Sequence, residues 1–149
     1  MTRINTVPPE ILFDEWLIAE YRELPRVISK VRRGKYANYY APKFYKMGQG
    51  HEKFFINKLL YLKRRHDNIR EEMSLRFGKK YAIVVDIQGL PEELCNDWVP
   101  EVCDHRINID RLWERFVNRK RHYHMEGQRV DEFDFNDFFG EVHEYSDRF

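Results

Sequence analysis

The sequence predicts an all-α protein, a single compact domain of three main helices with irregular connectors and an acidic C-terminal extension. A chain of 149 residues has the size of one domain. Apolar residues recur every three or four positions, which is the helical period, in three separate segments. The one β-rich stretch, residues 81–86, has no second strand of similar strength to pair with, so it is interpreted as a buried extended segment.

The first predicted helix begins at residues 8–10, because proline is tolerated in a first helical turn. Its apolar stripe runs through residues 11–24. Pro25 has no N–H group and its ring clashes with the preceding turn. Since the apolar period continues through residues 27–31, we expect a kink there and not a helix end. Residues 34–42 are predicted to form an irregular connector.

The second and longest predicted helix follows a turn at residues 48–51 and ends at Gly78, a residue type common just past a helix C-terminus. Residues 90–94 read as a single helical turn. A third helix is expected over about residues 108–119, with Trp113 among its core-facing side chains.

Composition argues against a membrane or secreted protein. No apolar run approaches the roughly 18 residues of a spanning helix, and the first residues lack the apolar stretch of a signal peptide. Two cysteines, Cys95 and Cys103, do not make a disulfide framework, which favours a reducing compartment. We therefore expect a cytoplasmic protein.

The position of the charges changes what the formal net charge of +1 means. Taken alone, that value argues against a nucleic-acid partner. Residues 22–65, however, hold thirteen bases and two acids, while residues 128–149 carry a net charge of −5. We therefore divide the chain into a basic domain, 1–127, and an acidic, aromatic extension, 128–149. The basic stretch is typical of a phosphate-binding surface, although a solvated helix face would have the same composition.

The N-terminus offers a candidate nucleophile. A small residue at position 2 allows the initiator methionine to be removed, which would expose the α-amine of Thr2. An α-amine has a pKa of about 7.7–8, so a useful fraction is neutral at physiological pH and can form a Schiff base with a sugar. Nearby cations such as Arg3 would lower that pKa further. The alternative is an ordinary, inert chain terminus.

Glu23 is the second candidate, since it lies between Arg22 and Arg26 as the only acid in basic surroundings. A carboxylate repels phosphate, so its presence there needs a reason. One reason is chemical, because a carboxylate can stabilise an oxocarbenium-like centre or transfer a proton during base excision. The other is an ion pair with a neighbouring arginine.

Several sequence blocks resemble the bacteriophage pyrimidine-dimer DNA glycosylase family, the endonuclease V of T-even phages. The likeness covers about residues 1–127, and its N-terminal blocks are specific in both sequence and position. The matching blocks are MTRIN at the start, AEYRELPRV at 19–27, Gly48-x-Gly50-His51 with Phe54-Phe55 and Lys58-Leu59, Leu90-Pro91-x-Glu93 with Asp97 and Pro100, and Arg111-Leu112 with Tyr123 and Gly127.

The resemblance implies an all-α glycosylase and AP lyase that works on damaged double-stranded DNA without metal or organic cofactor. It implies that Thr2 is the nucleophile and that Glu23 supports sugar opening and proton transfer. We expect a monomer with no membrane partner. The expected DNA-binding residues are Arg3, Arg22, Arg26, Trp16, Arg32, Arg33, Lys35, His51, Arg121 and Tyr123.

Two departures from the family pattern bear on specificity. Glu15-Trp16 stands where the family usually carries Gln-His, and an indole can stack on a base but cannot transfer a proton. Glu15 adds a negative charge where DNA should approach. His122-Tyr123-His124 replaces a Trp-Tyr segment and keeps one aromatic residue.

Four further questions stay open. The chain can be a divergent duplex-binding member with altered lesion specificity or no dimer activity. A metal-dependent nuclease would use the histidines and cysteines, but their spacing fits no common zinc pattern. Tyr36, Tyr39 and Tyr40 are stacking candidates or a packed connector. The extension is expected to pack on the body, bind a partner or compete with DNA.

Overall fold

The computed structural model describes residues 2–146, with side chains described through residue 140. Residue 1 and residues 147–149 of the predicted extension lie outside the described part. The described chain is mostly helical. Its helices are α1 Asp14–Glu23, α2 Pro25–Arg32, the single turn α3 His51–Phe54, α4 Leu59–Phe77, α5 Val102–Val117 and α6 Glu132–Ser146. One hairpin joins β1 His124–Met125 to β2 Gln128–Arg129, and 3-10 turns span Pro9–Ile11 and Glu92–Leu94.

The expected kink at Pro25 is present. Leu24 lies between α1 and α2 but keeps helical dihedral angles (φ −55°, ψ −42°), and its N–H donates to the Glu20 carbonyl at 2.9 Å. The predicted start of this helix was wrong, since Leu12 and Phe13 are extended and separate the first 3-10 turn from α1. The described chain has five helices of eight residues or more, so the expectation of three main helices was too low.

The second predicted helix begins later than expected but ends where expected. Lys58 is not helical (φ −129°, ψ 44°) and forms an isolated bridge with Cys95, so α4 begins only at Leu59. Gly78 ends the helix in the left-handed conformation, with φ +69°. This conformation strains an L side chain but not glycine, which is why the helix stops there.

Two expectations about apolar side chains were wrong. In residues 81–86, Val85 is buried but Ile83 and Val84 are exposed, so the segment is only partly covered. Helix α5 starts at Val102, and Trp113 on it is 37% exposed instead of core. The predicted single turn near residue 92 is confirmed.

The acidic extension packs on the rest of the protein through its aromatic residues. Phe135 and Phe139 of α6 are buried. The Phe139 ring lies 5.7 Å from Phe13 and 6.0 Å from Trp16, and Phe135 lies 4.9 Å from Trp113. Helix α6 thus closes the core beside α1 and α5. Among the described helices, none is both long and apolar enough to cross a bilayer.

Candidate active site

The N-terminal segment runs through the core and is held there by hydrogen bonds to its backbone. The Ile4 N–H donates to Nε2 of His51 at 3.1 Å, and the Tyr45 hydroxyl donates to the Ile4 carbonyl at 3.3 Å. The Tyr61 hydroxyl donates to the Asn5 carbonyl at 3.1 Å. A chain terminus is ordinarily mobile, and these contacts fix this one.

A buried polar network secures the same segment from the other side. Asn108 of α5 accepts the Thr6 N–H at 2.8 Å through Oδ1 and donates through Nδ2 to Oδ1 of Asn5 at 2.8 Å. Asn5 in turn donates to Oε1 of Glu20 at 2.7 Å, and Arg65 donates to both Glu20 oxygens at 2.8 and 3.0 Å. Because every buried partner is satisfied, the network specifies one position for the segment.

Within this network, Glu20 and Arg65 form a buried ion pair. Glu20 is fully buried and Arg65 nearly so. Burial alone would lower the pKa of Arg65, but the charge and hydrogen bonds of Glu20, together with Tyr61 and Tyr45, outweigh burial and raise that pKa. Burying such a pair costs desolvation, so its value here is in positioning more than in net stability.

The fixed segment ends in a cleft between α5 and the turn at residues 47–51. Eight of its lining residues are Thr2, Arg3, Met47, Gly48, His51, Arg111, Leu112 and Arg115. Burial lowers the pKa of Arg115, and the positive charges of Arg3 and Arg111 lower it further. Guanidinium groups that destabilise each other's charge in this way form a site for an anion.

Glu23 lies close enough to the cleft for its charge to act on Arg115. That negative charge raises the pKa of Arg115, while burial and the charges of Arg3 and Arg111 lower it. The Oε2 atom of Glu23 is buried without a hydrogen-bond partner among the described residues, and so is Nε of Arg3. Buried polar atoms are nearly always paired, so unpaired ones in a cleft mark where a substrate would bind.

A family model described as pyrimidine dimer DNA glycosylase matches residues 1–82, more than half of the chain. The chain belongs to the pyrimidine dimer DNA glycosylase family. The family activity is that of a DNA-repair glycosylase, and its substrate is DNA. Thr2, Glu23 and the buried contacts from His51 and Arg65 all lie inside the match, whereas α5 and the acidic extension lie outside it.

The structure gives this glycosylase-family protein two cleft residues that the sequence did not assign. Arg111 and Arg115 lie one turn apart on α5 and both reach the cleft. Their spacing of four residues shows in the sequence that they share a helix face. What that face meets depends on how α5 packs, which the spacing does not reveal.

Both ring nitrogens of His51 have partners within the protein. It is 4% exposed, its Nδ1 lies 2.8 Å from the Lys46 carbonyl and its Nε2 accepts from Ile4. His51 therefore positions the N-terminal segment in this structure, and its contact with DNA stays a prediction. Burial lowers the pKa of His51, which keeps Nε2 free to accept.

Trp16 is buried as well. It is 1% exposed, stacks on Phe13 at 4.9 Å and lies under α6, so its ring would have to be uncovered before it could stack on a base, and its DNA contact stays a prediction. Tyr123 lies 4.7 Å from Trp16 and is half-buried, which leaves part of its ring accessible.

Glu15 does not face the surface as an unpaired charge. It accepts a hydrogen bond from the His124 backbone N–H at 2.9 Å, and its Oε1 lies 2.5 Å from His124 Nδ1. These residues line a concave surface together with Arg119, Lys120 and Arg121. The expected repulsion of DNA by Glu15 is therefore reduced by its partner and by the bases around it.

The remaining predicted DNA contacts are at the surface. Arg22, Arg26 and Lys35 are exposed, and none of them takes part in a described ion pair. Arg33 is exposed with Nε on the Ser29 carbonyl at 3.3 Å. Arg32 is exposed but donates to the Asp86 carbonyl at 2.8 Å, so part of its hydrogen-bonding capacity is used to hold that segment.

The histidines and cysteines considered for a metal site are not brought together. Among the side chains that the structure describes, those of residues 2–140, no group of three or more histidine, cysteine or acidic residues has the arrangement of a metal site. Cys95 is half-buried and Cys103 exposed, and both are free thiols.

Proposed function

We propose that this protein excises damaged pyrimidines, with the pyrimidine dimer as target, from double-stranded DNA and then cleaves the strand as an AP lyase. The nucleophile is the α-amine of Thr2, freed by removal of the initiator methionine. Family membership supports glycosylase chemistry. The observation that carries the assignment is the buried framework that holds Thr2 in a cleft lined by Arg3, Arg111 and Arg115, with the charge of Glu23 close enough to act on Arg115.

The proposed reaction has two stages. The neutral amine attacks the anomeric carbon, the new C–N bond forms as the glycosidic bond breaks, and the base leaves after taking up a proton. The sugar ring then opens to an imine. Loss of a proton from C2′ breaks the C3′–O bond and releases the phosphate, which cleaves the strand. No metal is required at either stage.

The surroundings of Thr2 suit this chemistry. Cationic neighbours disfavour a protonated amine, so Arg3, Arg111 and Arg115 keep more of it neutral. The same three guanidinium groups can hold the phosphates that flank the lesion. A fixed terminus also lowers the entropy cost of reaching the reacting carbon.

Glu23 is the proton-transfer group in this proposal. Its unpaired Oε2 is available to a sugar hydroxyl or to the imine nitrogen. A carboxylate in that position assists ring opening and removes the C2′ proton. Exposed Arg22, Arg26, Arg33, Lys35 and Arg121 bind more distant phosphates, and Tyr123 contacts the DNA beside them.

A second candidate function is duplex binding without dimer excision. The observation that favours it is the burial of Trp16 under α6. No imidazole stands at that position, so a proton-transfer group that the family usually carries is absent from this part of the cleft region. This function predicts salt-dependent duplex binding and no covalent intermediate.

Borohydride trapping distinguishes the two functions. The protein, with methionine removal confirmed by mass spectrometry, is incubated in EDTA with duplexes that carry a dimer or an abasic site. We expect a covalent adduct that maps to the N-terminal peptide. Glu23→Gln should abolish strand cleavage, while Glu71→Gln, an exposed glutamate on α4, should leave it unchanged.

Three results would contradict parts of the proposal. The absence of an adduct on every damaged duplex would leave only the duplex-binding function. Undiminished strand cleavage by Glu23→Gln would remove the role assigned to Glu23. Activity that disappears in EDTA would indicate a metal-dependent nuclease instead.

A further inference from the structure

The connector between α2 and α3 exposes aromatic rings that the excision site does not use. We call residues 36–46 the aromatic loop. Within it, Tyr40 is 95% exposed, Phe44 is 72% exposed and Tyr39 is 52% exposed. A large apolar ring in water is unfavourable by about 1.5–3 kcal/mol relative to a buried one, so three on one loop call for a partner.

The charge of the surrounding chain indicates which kind of partner. Residues 24–51 hold seven bases and no acid. Two of the exposed rings have a lysine ammonium beside them. Lys53 lies 4.2 Å from the centre of the Tyr39 ring, and Lys43 lies 5.4 Å from that of Phe44. Flat apolar rings among cations match a polyanion that also presents flat apolar faces, which is a nucleic acid strand.

The loop is anchored at both ends, so its rings are held out by structure. At one end the Tyr36 hydroxyl donates to Glu52 at 2.9 Å, and Glu52 pairs with Lys30 at 2.8 Å. At the other end Tyr45 is buried and donates to the Ile4 carbonyl. Tyr39, Tyr40 and Phe44 all lie between these anchors.

The loop also continues into the candidate active site. Met47 and Gly48, directly after it, line the cleft that contains Thr2. A DNA strand that leaves this cleft along the basic surface therefore has a path onto the exposed rings. In a duplex both faces of each base are covered by neighbouring pairs, whereas an unpaired base offers its face for stacking.

We infer that the aromatic loop binds unpaired DNA, with Tyr40 and Phe44 stacking on bases and the surrounding lysines and arginines neutralising phosphates. This binding needs no lesion and no covalent step, so it goes beyond excision. It would keep the protein on gapped or cleaved DNA, including the strand break that the proposed lyase step leaves.

Fluorescence anisotropy with undamaged oligothymidylate and with an undamaged blunt duplex tests this inference at one fixed salt concentration. Stacking on a single-stranded base is worth about 1–3 kcal/mol, so Tyr40→Ala and Phe44→Ala should each weaken oligothymidylate binding by about 5- to 100-fold. Duplex binding should stay unchanged. Phe133→Ala, which removes a ring that is 75% exposed on acidic α6, is the matched control and should change neither. Tyr40→Trp keeps a flat ring at this position and should bind oligothymidylate as tightly as the wild type or more tightly.

Two further probes, an abasic oligonucleotide that offers no base to stack on and vesicles of anionic lipid, are measured with the same variants. The inference is overturned if both alanine variants bind oligothymidylate as the wild type does, or if they lose as much affinity for the duplex or for the abasic oligonucleotide. It is also overturned if the only affinity lost is that for the vesicles. Borohydride trapping on dimer-containing duplex is measured in parallel. A protein that forms no adduct but binds oligothymidylate through these rings would contradict only the proposed excision.

Discussion

Replacing Asn108 by alanine should both destabilise the protein and slow its covalent chemistry. Asn108 is fully buried, and its side chain is the hydrogen-bond partner of the Thr6 N–H and of Oδ1 of Asn5. Leaving a buried polar group unpaired costs about 1–3 kcal/mol, so two such groups cost about 2–6 kcal/mol. Water entering the vacated space recovers part of this, and we expect a loss of about 2–4 kcal/mol in unfolding free energy.

The effect on chemistry follows from where Thr6 lies. It is four residues from Thr2, and its anchor to α5 helps to fix the position of the terminal amine. A displacement of the nucleophile by about 1 Å can cost about 100-fold in rate. We therefore expect borohydride trapping to slow by about 10- to 100-fold in variant protein that is still folded.

Two measurements check this prediction. Urea denaturation gives the unfolding free energy, and single-turnover trapping below the denaturation midpoint gives the rate. Asn118→Ala is the control, because Asn118 is exposed and its Nδ2 donates only to the Glu114 carbonyl at 3.0 Å. It should change stability by no more than about 0.5 kcal/mol. An Asn108→Ala variant as stable as this control, or one that traps at the wild-type rate, would refute the reasoning.

Two other predictions concern stability. Phe139→Ala should cost about 3–5 kcal/mol by urea denaturation, because Phe139 is buried against Phe13; a loss under about 1 kcal/mol would mean that α6 does not close the core. Burial lowers the folded-state pKa of His51, His66 and His105 below the ordinary histidine value of about 6.5, so the folded protein binds fewer protons than the unfolded chain. Stability should therefore be fully present above pH 6.5 and fall below it, by up to about 1.4 kcal/mol per pH unit for each histidine, until the folded pKa is reached. Urea denaturation from pH 8 to pH 5 tests this, and a flat profile would contradict it.

The sequence predicted those features of the fold that depend on local chemistry. Pro25 kinks the first long helix because of its own ring, and Gly78 ends the second because it alone tolerates a left-handed φ there. Neither effect requires knowledge of distant residues. The turn near residue 92 is local in the same way.

Features that depend on distant partners were missed or misplaced. The start of α4 is set by a bridge from Lys58 to Cys95, which is far away in sequence. Trp16 becomes a core residue because α6 covers it, and α6 is more than a hundred residues further along the chain. Helical periodicity in either segment carries no information about the other.

The residues of the candidate site also differ in whether local sequence is enough to predict them. Thr2 and Glu23 were reached from their neighbours in sequence and from the family resemblance; Thr2 lines the cleft, and the charge of Glu23 acts on Arg115 of that cleft. Arg111, Arg115 and Asn108 are contributed by α5, so assigning them required the packing of α5 against the N-terminal segment. Their spacing in the sequence shows that Arg111 and Arg115 share a helix face but not which part of the protein that face meets.

The anchored N-terminal segment has a consequence for how this protein can be handled. In the proposed mechanism the hydrogen bonds at Ile4, Asn5 and Thr6 fix how far the chain reaches into the cleft, and so where its terminal amine lies. Each residue left in front of Thr2 would carry the amine about 3.3–3.6 Å further on. A fusion or an unprocessed methionine at this end would thus yield a protein that folds, binds DNA and passes every stability assay while lacking its nucleophile.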